Sequence, residues 1–533
     1  MMYLYFFVGL ALYRGLITWK FYTAAGRQAW EAFVPFYNTY VLLQITERPK
    51  WWIFIYYVPV VDNVMAIILT YELLHMFNFR KITFAILSVV TLGLYLGYLN
   101  YTQPLNYGQR DDSWIKKNLG TTVNAILFAV VAATLIRSTT FESYTIPTGS
   151  MEESLYTGDF LFVSKMHYGV RLPITPFTVP LLHNELPLIG GKSYSDLVQL
   201  PYVRLPKFTE VQLNDPVVFN YPADSDHDPI DKKMNYVKRC VGTPGDSIKI
   251  VDGVLFINGV ENQLPDRAKR QISYYVQLDQ GFILNENGLE YLREKFEVDP
   301  SDIQPGLGTV QQSAQASKWR FTMTEENAQA MRESGFAKQM EPVILEYGNP
   351  SSFNPDESRI MEASARQMFM NNNIHEPIQY KWTIDNYGSV WIPQEGATIE
   401  LNEKNLDFYY KAITVHEGNT LEQIDGKYVL NGEEASTYTF KQDYFWMMGD
   451  NRHNSLDSRF WGFVPETHLV GKPVFIWMSY DKYAPGAKKI RNERVFTTVN
   501  GSGERFSYLL PFGIIVVLWT LIGRYRRKKK AQA

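Results

Sequence analysis

Cysteine is nearly missing from this chain: Cys240 is the one such residue in 533. That excludes an intramolecular disulfide and any metal or redox centre built from several cysteines. It leaves the compartment open, because a large domain outside the cytoplasm folds without bridges. Histidine is scarce too. None of the eight stands in H-E-x-x-H or another close ligand spacing, so a zinc hydrolase lacks its ligands and no metal or cofactor is expected. A surplus of positive charge is also absent. The net charge of −3 speaks against a nucleic-acid partner, since phosphate binding needs basic side chains in excess. No internal repeat and no long low-complexity run divides the chain.

Apolar side chains are plentiful: 46% of residues are hydrophobic and 15% aromatic, enough for a sizeable core. They gather at the two ends. Tyr3–Trp19, Trp51–Leu74, Ile82–Tyr98, Thr122–Ile136 and Tyr508–Gly523 read as membrane spans, some of them short, with flanking Lys and Arg to snorkel. Asp62, inside the second, reads as a packed or interfacial residue rather than a proton relay. Arg27 and Arg48, then Arg110, Lys116 and Lys117, then the tail "RYRRKKK" mark three segments as cytoplasmic. Five spans fit that sense, with Arg80 and Lys81 as the mismatch. Everything from 138 to 505 then lies outside the cytoplasm.

That outer region reads as mainly β. "GDFLFVSK", "DPVVFNYP", "DSIKIVDGVLFING" and "GSVWIP" are short, β-branched or aromatic, and bounded by Gly, Pro, Asp or Asn. A helix is clear at Thr324–Ser334, with Thr324 as its cap. The expected organisation is a multi-pass membrane region over 1–138 and a core in two parts, 139–261 and 436–505. An inserted β-rich subdomain occupies 262–435, including the polar stretch "GNPSSFNPDES", and a C-terminal transmembrane helix with a basic tail occupies 506–533.

Three stretches carry candidate chemistry: "IPTGSMEESLYTGDFLFV" from 146, "NYVKRCVGTPGDSI" from 235 and "FWMMGDNRHNSLDSRFWGFVP" from 445. Together they resemble, in order, the Ser-Met, Gly-Asp-x-x-x-Val, Lys-Arg-x-Val-Gly-x-Pro-Gly-Asp and Gly-Asp-Asn-Arg boxes of the bacterial type I signal peptidases. These are membrane-bound serine proteases with a Ser/Lys dyad. The resemblance covers about 140–260 and 436–480, not the insertion or the first 115 residues.

A serine hydroxyl is a poor nucleophile until a base takes its proton. A neutral lysine serves once burial brings its pKa down from about 10.4 toward working pH. In an extended strand Tyr236, Lys238 and Cys240 share one face, giving Lys238 moderately apolar neighbours. Gly149 is expected to let the backbone approach closely at Ser150. The resemblance implies that Ser150 is the nucleophile and Lys238 the general base. It further implies that the Ser150 N–H and the Thr148 hydroxyl form the oxyanion hole. Ser455 is implied to hydrogen-bond the lysine, and Asp457 and Arg459 to pair beneath the site. Asp450 and Asn451 read as a polar turn and His453 as a solvated loop position. Glu153-Ser154 replace the Pro-Thr of many relatives, which bears on the rigidity of the loop.

Ile146, Leu155, Tyr236 and Val237 match positions lining small apolar subsites, or are plain core. Such a wall accepts the small-x-small cleavage site of a secretory signal peptide. The chain from Ile136 to Ser150 reaches at most about 50 Å extended, which puts the site near the bilayer surface. The implied protein is a multi-pass endopeptidase of the plasma (inner) membrane, with secretory preproteins and lipid bilayer as partners. Two alternatives remain: a dedicated maturation protease of the same chemistry, and a catalytically silent membrane scaffold.

Overall fold

The computed structural model describes residues 2–532 apart from 59, 110–111, 188–189, 279–284, 306–317, 347–381 and 485. "GNPSSFNPDES", Arg110 and the side chains of Lys116 and Lys117 therefore lie outside the described residues. The chain forms two compact units. The first comprises Met1–Glu142, Gly169–Pro206 and Asp226–Lys233; the second comprises Ser143–Tyr168, Lys207–Ser225 and Met234–Ala533.

The first unit is helical: α1 (Met2–Ala24), α2 (Tyr37–Ile45), α3 (Trp52–Tyr56), α4 (Val61–Met76), α5 (Ile82–Val90), α6 (Leu94–Thr102) and α7 (Asp112–Thr139). Phe21, Val41, Leu73, Met76, Leu96 and Leu99 make one of its buried clusters. Two expected spans are not continuous helices. Trp51–Leu74 divides into α3 and α4 ahead of Val61, where Val60 has a φ of 70° that a helix interior does not accept. Ile82–Tyr98 divides into α5 and α6 at Gly93, whose φ of 97° a helix interior does not accept. Asp62 falls in the first turn of α4, where a carboxylate suits the helix dipole. Among the described residues one helix has the length and composition to cross a bilayer, over Leu509–Arg526; Ala125–Thr139 is a shorter apolar one.

The unit also takes in residues 169–206 and 226–233, which the sequence alone placed in the first part of the core. Polar bonds join the two segments to each other. Lys232 Nζ donates to Thr178 Oγ1 at 3.1 Å, and Asp231 accepts from the Ile174 N–H at 3.1 Å.

The second unit is mainly β. Its largest sheet runs β1 (Phe141–Thr145), β2 (Asp159–Ser164), Leu469–Ser479, β3 (Pro216–Asn220), β4 (Asn235–Gly242), Tyr444–Met448 and Val464–Pro465. It is antiparallel from β2 onward. Alternate residues feed opposite faces, as the two-residue period requires. Val217, Phe219 and Cys240 join Phe445, Met447 and Trp461, with Tyr236 packed against them. Val218 joins Ile146, Met151, Leu155, Leu161 and Ile476, with Val237 beside them. The register sets Lys238 opposite Val217.

The segment read as an insertion is more mixed than a β-rich subdomain. Strands Ala337–Pro342, Gln271–Leu278, Lys318–Thr324 and Ile303–Pro305 form one sheet, covered by helices Glu286–Phe296 and Glu325–Glu333. Tyr274, Val276, Leu292, Phe296, Phe321 and Met331 are buried between them. Its C-terminal part belongs with the core instead. Tyr387–Trp391 pairs with Ser247–Val251, and Thr398–Glu400 with Thr437–Thr439, so pairings cross the expected boundary at 435.

The helix at 325 starts where expected: Thr324 is extended and its Oγ1 accepts from the Asn327 N–H at 3.2 Å. Thr324→Ala removes that cap, and a loss of about 1 kcal/mol is expected. Amide hydrogen exchange over 325–333 measures it, as faster exchange there than in Glu286–Phe296.

Candidate active site

Ser150 sits in a single 3-10 turn, Gly149–Met151, entered from an extended Thr148 (φ −131°, ψ 156°). Met151, completely buried, anchors the turn in the core. Lys238 comes from the middle of β4, and its Nζ lies 2.5 Å from Ser150 Oγ. Lys238 is 4% exposed, and its amine forms no ion pair among the described residues. Burial pushes its pKa from 10.5 down to about 8, against the pull of Asp457 and Asp450 and with help from Arg459. The Tyr236 ring, on the face shared with Lys238, lies 5.9 Å from the amine.

Both carboxylates near that amine are already taken. Arg459 grips Asp457 through Nε at 2.9 Å and Nη2 at 2.7 Å, and the Gly449 N–H adds a bond at 3.0 Å. Burial alone would raise the Asp457 pKa, but Arg459 and these bonds hold it below the ordinary carboxylate range. Arg239 grips Asp450 through Nε at 2.7 Å and Nη2 at 2.5 Å. Arg239 was not singled out from the sequence; a second charge directly after Lys238 in an otherwise apolar strand was the available signal.

Several expectations change. Leu155 does not line the cleft at Ser150; it is 1% exposed and packs in the core with Met151. Ile146, Tyr236 and Val237 do line it, with Tyr144, Thr148, Val218 and Leu456, around a volume of about 340 Å³. Ser455 makes no hydrogen bond to Lys238. Its Oγ is buried without a hydrogen-bond partner and fills the space over the Gly449 Cα. His453 is not solvated: its side chain is fully buried, accepting at Nδ1 from the Ser273 N–H at 2.8 Å and facing Asp385 with Nε2 at 2.9 Å.

The glycine that permits close approach is Gly449 rather than Gly149. A Cβ on Gly149 would meet nothing nearer than Glu152 Oε2 at 3.6 Å. One on Gly449 would stand 2.5 Å from the Ser150 carbonyl oxygen and overlap Ser455 Oγ. Asp450 and Asn451 do more than turn the chain: Asn451 donates its backbone N–H to Ser150 O at 3.2 Å. Glu153 has φ 65°, which a proline ring forbids, so the loop follows its own path where relatives have Pro. It is nonetheless tied down, with Ser154 Oγ accepting from the Lys269 N–H at 2.9 Å. Burial, with Asp299 against Glu152 and Glu297 against Glu153, lifts both carboxyls to about 8.

The unfolded chain keeps the Lys238 proton to about pH 10.5 and the folded chain releases it near 8. Stability therefore rises with pH across that window, by about 3 kcal/mol from this one group. Lys238→Met is expected to remove that rise. Denaturant midpoints of the variant and the parent chain, measured between pH 7 and 10.5, check it.

The family model for signal peptidase, peptidase S26, matches residues 119–310 and 390–478, just over half of the chain. A family of unknown function (DUF5684) matches residues 30–110. Signal peptidase I of Buchnera aphidicola subsp. Acyrthosiphon pisum is 27% identical over 353 residues, 66% of this chain and 73% of that one. The Signal peptidase I of Rickettsia typhi is 26% identical over 186 residues, 35% of this chain and 56% of its own. Residues 311–389 lie unmatched between the two parts, and the stretches 146–163 and 235–248 fall inside the first. By that match the chain is a hydrolase and belongs to the signal peptidase family, peptidase S26.

Proposed function

We propose that this chain is a membrane-bound serine endopeptidase that removes N-terminal signal peptides from exported preproteins, with Ser150 as nucleophile and Lys238 as general base. The observation that carries the reading is the dry Lys238 amine 2.5 Å from Ser150 Oγ, its pKa pushed down to about 8. A neutral amine accepts the Ser150 proton as Oγ bonds to the scissile carbonyl carbon. The resulting ammonium gives that proton to the leaving amine as the C–N bond breaks. Water, deprotonated by the same amine, then opens the acyl-serine ester and restores the hydroxyl.

The developing oxyanion needs donors. The Ser150 N–H donates to no group among the described residues, and Thr148 is exposed on the cleft wall beside it. The apolar wall of Ile146, Val218 and Val237 suits side chains of alanine size. The helix over Leu509–Arg526, apolar and unburied, supports attachment to a bilayer, and the basic residues after it favour a cytoplasmic tail.

Ser150→Ala and Lys238→Ala are each expected to abolish cleavage of a generic secretory precursor while leaving the fold intact. Activity from either would sink this assignment, and cleavage confined to one substrate would mark a dedicated maturation protease. Thr148→Val should lower kcat about 10²–10³-fold, and Thr148→Ser should restore it. In the parent chain kcat/KM is expected to rise with pH and level off above about 8, as the Lys238 amine loses its proton.

A further inference from the structure

The hydrogen bonds around the Ser150 turn do not end in the core that carries it. Asn451 holds the turn twice, by its backbone N–H to Ser150 O at 3.2 Å and by Nδ2 to Gly149 O at 3.2 Å. The same Nδ2 donates to Asp302 Oδ2 at 2.7 Å. The other Asp302 oxygen accepts from Asn454 Nδ2. Asn454 lines the cleft, and its backbone N–H donates to Asn451 O at 3.2 Å. Asp302 comes from the segment read as an insertion, at the end of the 3-10 turn Pro300–Asp302, and is 4% exposed.

An amide side chain fits such a place in two orientations, donor or acceptor inward. Here the acceptor Oδ1 of Asn451 is buried without a partner, an arrangement that costs free energy. A carboxylate explains the choice: turned round, Asn451 would set oxygen against oxygen at Asp302 and at Gly149. Burial lifts the Asp302 pKa to about 6, with Asp299 adding to it and the two amides and Arg320 opposing it, so the group is ionised at neutral pH.

On the reading of Ser150 as nucleophile, we propose that Asp302 is a positioning residue for cleavage. Its two carboxylate oxygens orient the amides of Asn451 and Asn454, and through Asn451 they fix the Gly149 and Ser150 carbonyls so that the hydroxyl meets Lys238. The segment that supplies Asp302 is thereby a working part of the site.

The test uses the full chain in liposomes and a fluorogenic peptide with an Ala-x-Ala cleavage site. Asp302→Asn keeps the shape but sets an NH₂ group against one of the two amides. It is expected to lower kcat at least about tenfold with KM within about twofold, since misplacing a reacting group slows chemistry more than binding. The melting temperature should stay near that of the parent chain. The double variant Asp302→Asn with Asn451→Asp regains a bond between the two positions but turns an oxygen toward Gly149 O, so it should remain slow. A kcat for Asp302→Asn within about twofold of the parent overturns the proposal, and so does full recovery in the double variant, which would mark a fold tie only. Should Asp302→Asn not fold, Asn451→Asp is read by the same measures: slow chemistry with KM kept supports the proposal, parental kcat overturns it. Parent and Ser150→Ala chains run alongside; failure of the first to cleave, or cleavage by the second, counts against the proposed function and not against Asp302.

Discussion

Keeping one amine out of water is the constraint on which the rest of the second unit depends. A charged Lys238 at 4% exposure is costly, and the structure lowers that cost by letting the proton go rather than by supplying a counter-ion. Two carboxylates stand close enough to spoil this. Each is held by its own arginine, Asp457 by Arg459 and Asp450 by Arg239, so the pull of either on the ammonium does not outweigh burial. Buried pairs of this kind add little net stability, and here their value lies in what they withhold from the lysine.

The same economy of partners shapes the Ser150 turn. Met151 pins it from below, Gly449 leaves room for the Ser150 carbonyl, and Asn451 clasps that carbonyl and its predecessor. All of these donors and gaps lie on residues far away in the chain. The inserted segment takes part as well, through Asp302 and through the Ser273 N–H and Asp385 on either side of His453. A segment linked to the site by buried polar bonds is more than a surface decoration, because each such bond broken strands a buried polar group.

Local signals were readable where the physics is local. The Thr324 cap depends on residues three apart, and the opposite faces of β3 and β4 follow from strand alternation. Ser150 and Lys238 stood out by the boxes that contain them, and the fold brings them together. The failures share a cause. Leu155 and Ile146 are both apolar residues near Ser150, yet one packs into the core and the other also lines the cleft, a difference set by strands from elsewhere. His453 looked like a loop residue because its partners, Ser273 and Asp385, are well over sixty positions away. Spans read from apolar runs broke at Gly93 and at Val60, where composition averages hide a single backbone conformation.

By itself, then, the order of residues determined the chemical kinds available: one serine in a Gly-Ser-Met turn, one lysine in an apolar strand, arginines and aspartates nearby, and no cysteine or histidine set to compete. Those are properties of short windows, where side-chain type and periodicity suffice. Only the tertiary structure decided that Arg239 took Asp450, that Gly449 rather than Gly149 made the room, and that Asp302 reached the Ser150 turn. These partners lie well over a hundred residues apart, and no short window of sequence contains both.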